Sequence, residues 1–136
     1  MSSIWNNKAA RIYWLYLFLS ILIFALLKSN SVPGTFWNDS AEFVTGAKNL
    51  SIVHDNSYPL LMLLGKTFSF LPFSYPSSVN LLTPFFAAFS FLILSIFIFN
   101  ITGIFFAGLL AGISLVFGIN YYSDLLYFEV DRKSVV

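Results

Sequence analysis

Val79–Phe99, VNLLTPFFAAFSFLILSIFIF, decides the fold class. The stretch is uncharged and matches the ~20 predominantly apolar residues that a membrane-spanning helix requires. Thr83-Pro84 predicts a kink near its start, because proline removes a helix N–H and its ring crowds the preceding turn. On the C-terminal side, Asn100-Ile-Thr-Gly103 reads as a minimal hairpin turn. Ile104–Ile119 then returns as a second apolar run, with Gly108 and Gly112 four apart. Such a small-xxx-small pair lets helix backbones approach closely. Asn120–Glu129 follows and carries Asp124.

The N-terminal side has the same character. Polar residues 1–11, with Lys8 and Arg11, precede an apolar run from Ile12 to Leu27 that Trp5, Trp14 and Lys28 extend by interfacial anchoring. The run is longer than the apolar core of a signal peptide, and no clear small-x-small cleavage site follows it, so it reads as an uncleaved span. Lys8 and Arg11 predict a cytoplasmic N-terminus by the positive-inside rule. Residues 29–57 then form an outer loop, opened by the turn signal Pro33-Gly34. Ser40–Ile52 predicts a short amphipathic helix with Phe43, Ala47 and Leu50 on one stripe, suited to the membrane surface. Tyr58–Phe73, interrupted by Gly65 and Lys66 and closed near Pro72, reads as a helix in or on the outer interface.

Composition agrees with this pattern. Of 136 residues, 10% are charged and 58% apolar, and mean hydropathy is +0.82; soluble domains carry about 25% charged residues. The expected class is therefore all-α: a polytopic helical membrane protein with about three spanning helices and interfacial helices in its first outer loop. The absence of cysteine excludes disulfides and thiolate chemistry. A net charge of +1 gives no footprint for nucleic acid, so none is expected as partner. Residues 131–136, DRKSVV, are those encoded when the opening of a common short-read sequencing adapter is read in frame. Residues 1–130 are accordingly expected to be the native N-terminal part of a larger transmembrane domain, with 131–136 a non-native tail.

In so apolar a chain the polar island Asp39-Ser-Ala-Glu42, followed by His54, Asp55 and Tyr58-Pro59-Leu60, is the natural place for chemistry. Asp39 and Glu42 have the spacing of a helix capping box, which would need no catalytic role. The same carboxylates beside a membrane cleft could serve a glycosyl transfer, one as general base toward an acceptor hydroxyl. The other could position the acceptor or share a divalent cation through hard oxygen ligands. His54 reads either as a structural hydrogen-bonding residue or, with Asp55, as a phosphate- or acceptor-orienting group. Lys48 and Lys66 read as snorkelling side chains able to meet a lipid phosphate.

DSAEFVTGAKNLSIVHDNSYPLLMLLGKTFSFLPF and SVNLLTPFFAAFSFLIL together resemble the N-terminal module of protein O-mannosyltransferase-like membrane proteins. These belong to the GT-C superfamily of polyprenyl-phosphate-sugar-dependent glycosyltransferases, with bacterial members. The family pattern of Asp-Ser-Gly-Glu, a histidine twelve positions on and then Tyr-Pro-Leu falls without a gap on Asp39, Glu42, His54, Tyr58, Pro59 and Leu60. It continues through Gly65-Lys66 and Val79-Asn80-Leu81-Leu82, so the likeness covers about residues 35–99.

The resemblance implies the N-terminal part of a GT-C fold and an inverting transfer of mannose or another hexose from a polyprenyl-phosphate donor. The acceptor would be an extracytoplasmic hydroxyl on protein or glycan, and the bilayer itself a partner. Asp39 inherits the role of base with Glu42 beside it; His54, Asp55, Tyr58, Lys66 and Asp124 become substrate-binding candidates. Any metal would sit at Asp39 and Glu42. Three positions depart from the pattern: Ala41 replaces a glycine, Asp55-Asn-Ser57 replaces Pro-Pro-Gly, and Ser78 replaces a basic residue. A glutamate expected after the third span has two counterparts, Asp124 and Glu129. The alternative readings are a noncatalytic membrane protein, transporter-like or scaffold, and an inactive relative.

Overall fold

The computed structural model describes residues 2–31, 34, 39–51, 59–68 and 70–118. Every regular element among them is helical: α1 (Ser2–Asn30), α2 (Asp39–Asn49), α3 (Pro59–Phe68), α4 (Tyr75–Asn80), α5 (Leu82–Thr102) and α6 (Phe105–Val116). Two stretches are long and apolar enough to cross a membrane, Asn7–Asn30 and Tyr75–Thr102. Phe18, Ile21, Leu22 and Leu26 of α1 and Phe89, Ile93 and Phe97 of α5 are exposed. A helix apolar on its outward side as well as its packed side is suited to lipid rather than water. α6 is equally apolar but has 12 residues, roughly 18 Å at 1.5 Å per residue. Its described length is thus well below the ~30 Å hydrocarbon core. The run expected to continue to Ile119 passes out of the described residues there.

The described chain divides into two compact units, residues 2–29 with 85–118, and residues 30–84. In the first, polar side chains of α1 reach the main chain of its neighbours. Tyr16 Oη donates to Phe105 O at 2.7 Å and Ser20 Oγ to Ala88 O at 2.7 Å, and both residues are buried. Tyr16 also stacks on Phe105 with ring centroids 5.2 Å apart. Tyr13 Oη donates to Asn100 Oδ1 at 2.8 Å near the α5 terminus. Gly108 and Gly112 form the seam expected of them: a Cβ on Gly108 would collide with Ser95 O and Tyr16 Oη, and one on Gly112 with Ser95 Oγ and the Phe91 ring. The α5–α6 turn consists of Gly103 and Ile104. Gly103 takes φ +69° and its N–H returns to Phe99 O at 2.7 Å, an αL cap that a side chain would strain.

In the second unit α2 packs on α3. Phe43, Val44 and Ala47 of α2 meet Met62 of α3 and Val79 and Leu82 at the α4–α5 junction. The expected stripe is confirmed for Phe43 and Ala47 and corrected at Leu50. α2 ends at Asn49, and Leu50 adopts φ +52°, leaving its side chain half-exposed. Ser51 N–H closes the end on Gly46 O at 3.0 Å, the 6→1 bond of a Schellman motif with leucine in the position glycine usually takes.

The kink expected at Thr83-Pro84 is realised as a break at Leu81, between α4 and α5. Pro84 has no N–H for Asn80 O, the carbonyl four residues back. Thr83 Oγ1 instead donates to that oxygen at 3.2 Å. α4 itself was not expected. Its Pro76 sits in the first turn, where a missing N–H costs nothing, so YPSSVN folds as a helical turn.

Candidate active-site helix

α2 starts at Asp39, so Asp39 and Glu42 both lie in its first turn, where the helix dipole favours negative charge. Residues three apart share a helix face. Phe43 and Gly46, four and seven residues after Asp39, are buried and lie on the packed stripe of the helix. Glu42 is exposed at the edge of that stripe. The exposed Glu42 is thus carried on a helix that Phe43, Val44 and Ala47 fix to the core.

Lys66 has a defined structural role. Its Nζ donates to Lys48 O at 2.6 Å, satisfying a carbonyl of the last α2 turn, which has no intrahelical partner. A cation there also complements the negative end of the helix dipole. The Lys48 ammonium lies 5.6 Å from the centroid of the Tyr75 ring, in cation–π range. The two lysines that the sequence offers as phosphate contacts are thus brought together at the C-terminal end of α2, away from its acidic first turn by the length of an 11-residue helix. That is roughly 16 Å at 1.5 Å per residue.

His54, Asp55, Tyr58 and Asp124 lie outside the described residues, as does Glu129. Among the described residues no three His, Asp or Glu side chains come together as a metal-binding group. Asp39 and Glu42 offer hard oxygens, but a magnesium ion takes six ligands. A pair on one helical turn could hold such an ion only with donor phosphate and water completing the shell.

Sequence reasoning missed Asn80. Its side chain is fully buried, and Nδ2 donates to Gly34 O at 2.8 Å, tying the residues before α2 to the α4–α5 junction. A lone asparagine at the head of an apolar run was the available signal. Ser78, at the position where a basic residue was expected, is also buried, with Oγ 3.5 Å from Leu71 O. A longer charged side chain would require this junction to open.

Among the described residues these features define an all-helical protein with two helices long and apolar enough to cross a membrane and an acid-bearing helix lying between them in sequence. Residues 39–118 match the family described as the protein O-mannosyl-transferase TMEM260 N-terminal domain, and the chain belongs to that family. The match begins at Asp39, the first residue of α2. No curated protein and no solved structure matches the chain.

Proposed function

We propose that the chain is the N-terminal part of an inverting membrane glycosyltransferase that moves mannose or another hexose from a polyprenyl-phosphate donor to an extracytoplasmic hydroxyl on protein or glycan. The observation that carries this is the placement of Asp39 and Glu42. They open the family-matched region, and they sit in the first turn of a helix whose Phe43, Val44 and Ala47 are locked into a core. Asp39 takes the proton from the acceptor hydroxyl as its oxygen attacks the anomeric carbon. The new bond is acceptor oxygen to anomeric carbon, the broken one is anomeric carbon to phosphate oxygen, and polyprenyl phosphate leaves. Glu42 positions the acceptor or shares a divalent cation with donor phosphate. His54, Asp55, Tyr58 and Asp124 complete the substrate site in this reading.

The same reading sets the topology. Lys8 and Arg11 hold the N-terminus in the cytoplasm, α1 crosses, and α2 and α3 lie outside. Retention of α1 as a span is supported by its buried Tyr16 and Ser20, both bonded to main-chain oxygens of other helices.

The test is Asp39→Asn in the complete protein, reconstituted with a polyprenyl-phosphate-linked sugar. Transfer should fall by roughly 10²–10⁴-fold, the usual contribution of a general base, while insertion and stability are kept. Full activity in this variant removes Asp39 from the mechanism. A noncatalytic relative is favoured by one observation: the helix dipole stabilises both carboxylates whatever their chemistry. It predicts no sugar transfer by the unaltered protein.

A further inference from the structure

Asparagine with serine or threonine two positions on, and no proline between, is the acceptor pattern for N-linked sugar. The pattern occurs three times in this sequence: Asn38-Asp-Ser40, Asn49-Leu-Ser51 and Asn100-Ile-Thr102. The bare motif discriminates little among them. An acceptor also has to lie at the surface, outside regular structure, with room for a bulky and strongly hydrated group.

Asn100-Ile-Thr102 lacks those properties. All three residues belong to α5. Asn100 Oδ1 accepts from Tyr13 Oη at 2.8 Å. Thr102 Oγ1 donates to Ile98 O at 2.8 Å and accepts the Ile104 N–H at 3.2 Å. The carboxamide and the hydroxyl are both spent on holding the end of the helix. Asn38 lies outside the described residues.

Asn49-Leu-Ser51 has the opposite character. Asn49 is the last residue of α2, Leu50 leaves the helix with φ +52°, and Ser51 lies beyond it. All three residues are exposed. The exit is closed by main chain, Ser51 N–H on Gly46 O at 3.0 Å, so neither the carboxamide nor the hydroxyl is needed to hold the turn. The packed residues Phe43, Val44 and Ala47 end before Asn49, so a group attached at its Nδ2 meets solvent and not the core. Asn49 also stands ten residues after Asp39 on the same helix. That is roughly 15 Å at 1.5 Å per residue, which leaves the acidic first turn open.

We propose that Asn49 is an N-glycosylation site on the extracytoplasmic side of the protein. The co-reactant is a lipid-diphosphate-linked oligosaccharide, presented by a separate membrane oligosaccharyltransferase. Asn49 Nδ2 bonds to the anomeric carbon and gives up one proton. The bond from that carbon to phosphate oxygen breaks, and lipid diphosphate leaves. The proposal rests on the outward placement of α2 and not on the chemistry assigned to Asp39.

The full chain is translated into endoplasmic-reticulum microsomes, which supply the donor and the transferase. The unaltered chain should show one step up in apparent mass that an endoglycosidase removes. Asn49→Gln and Ser51→Ala should each abolish the step while the chain still resists alkaline extraction. Asn38→Gln, Asn100→Gln and Ser51→Thr should keep it. The chain has no cysteine, so Thr45→Cys reports the side of α2 independently. A membrane-impermeant maleimide should reach it only after the vesicles are permeabilised. A lumenal Thr45→Cys without the mass step overturns the glycosylation site and leaves the topology standing. Labelling of Thr45→Cys in sealed vesicles overturns both. A step that survives Asn49→Gln removes Asn49 as the acceptor.

Discussion

Gly108→Ala tests the α5–α6 seam by the sign of its effect. Glycine in a helix interior is worse than alanine by about 1 kcal/mol, so local preference alone makes this substitution stabilising. The packing predicts the reverse. An alanine Cβ would run into two atoms, Ser95 O and Tyr16 Oη. Ser95 O belongs to the main chain and can yield only if α5 moves. Tyr16 Oη is held by its 2.7 Å bond to Phe105 O and by the stacked Phe105 ring. Forcing a methyl group into a packed site costs about 1–3 kcal/mol, which exceeds the propensity gain over most of its range. We therefore expect a net destabilisation of up to about 2 kcal/mol. Tyr16→Phe removes one colliding atom together with a hydrogen bond worth about 0.6 kcal/mol in a membrane setting. In that background Gly108→Ala should cost at least about 0.5 kcal/mol less, the lower range of coupling between contacting residues. The assay is reversible unfolding in mixed micelles at rising fractions of denaturing detergent, read by a dye pair on cysteines introduced into α1 and α6. A stabilising Gly108→Ala, or strict additivity with Tyr16→Phe, would refute the close approach.

Three further outcomes follow from the second unit. Lys66→Met should lower stability by about 1 kcal/mol by freeing Lys48 O; an unchanged unfolding midpoint with a raised donor KM would instead make Lys66 a phosphate contact. Leu50→Gly should stabilise by about 1 kcal/mol, since a left-handed conformation costs an L-residue that much; a lower Tm would contradict the Schellman ending of α2. Asn80→Ala leaves Gly34 O without its side-chain donor at a cost of about 1–3 kcal/mol. It should speed amide exchange around Gly34 before any change at α5, and uniform exchange across both regions would count against the tie.

What could be read without coordinates was what depends on composition and periodicity. The apolar runs in α1 and α5 and the Phe43/Ala47 stripe needed no knowledge of partners, and the Gly108/Gly112 pair announced a close approach. Leu50 escaped because periodicity extends a stripe until something ends it, and this helix ends on leucine rather than on the glycine that normally signals the turn. α4 escaped because a proline between a tyrosine and two serines reads as loop, although proline in a first turn is harmless. The acidic pair was legible in part. Its capping-box spacing announced a helix start, whereas the burial of Gly46 beside the expected Phe43 stripe came only from the packing. Lys66 was legible as a charge, but its bond to the Lys48 carbonyl depends on α3 packing on α2, which no local pattern announces.

The connection between α5 and α6 has a consequence for how the protein is made. With only Gly103 and Ile104 between the helices, the second arm follows the first with almost no delay during synthesis. The described α6, 12 residues long, meets α5 through the Gly108/Gly112 seam as soon as the turn is made. The two arms are therefore expected to fold as one unit. A lengthened turn would loosen the seam, so tolerance to inserted residues at Gly103 should be far lower than the exposure of that turn suggests.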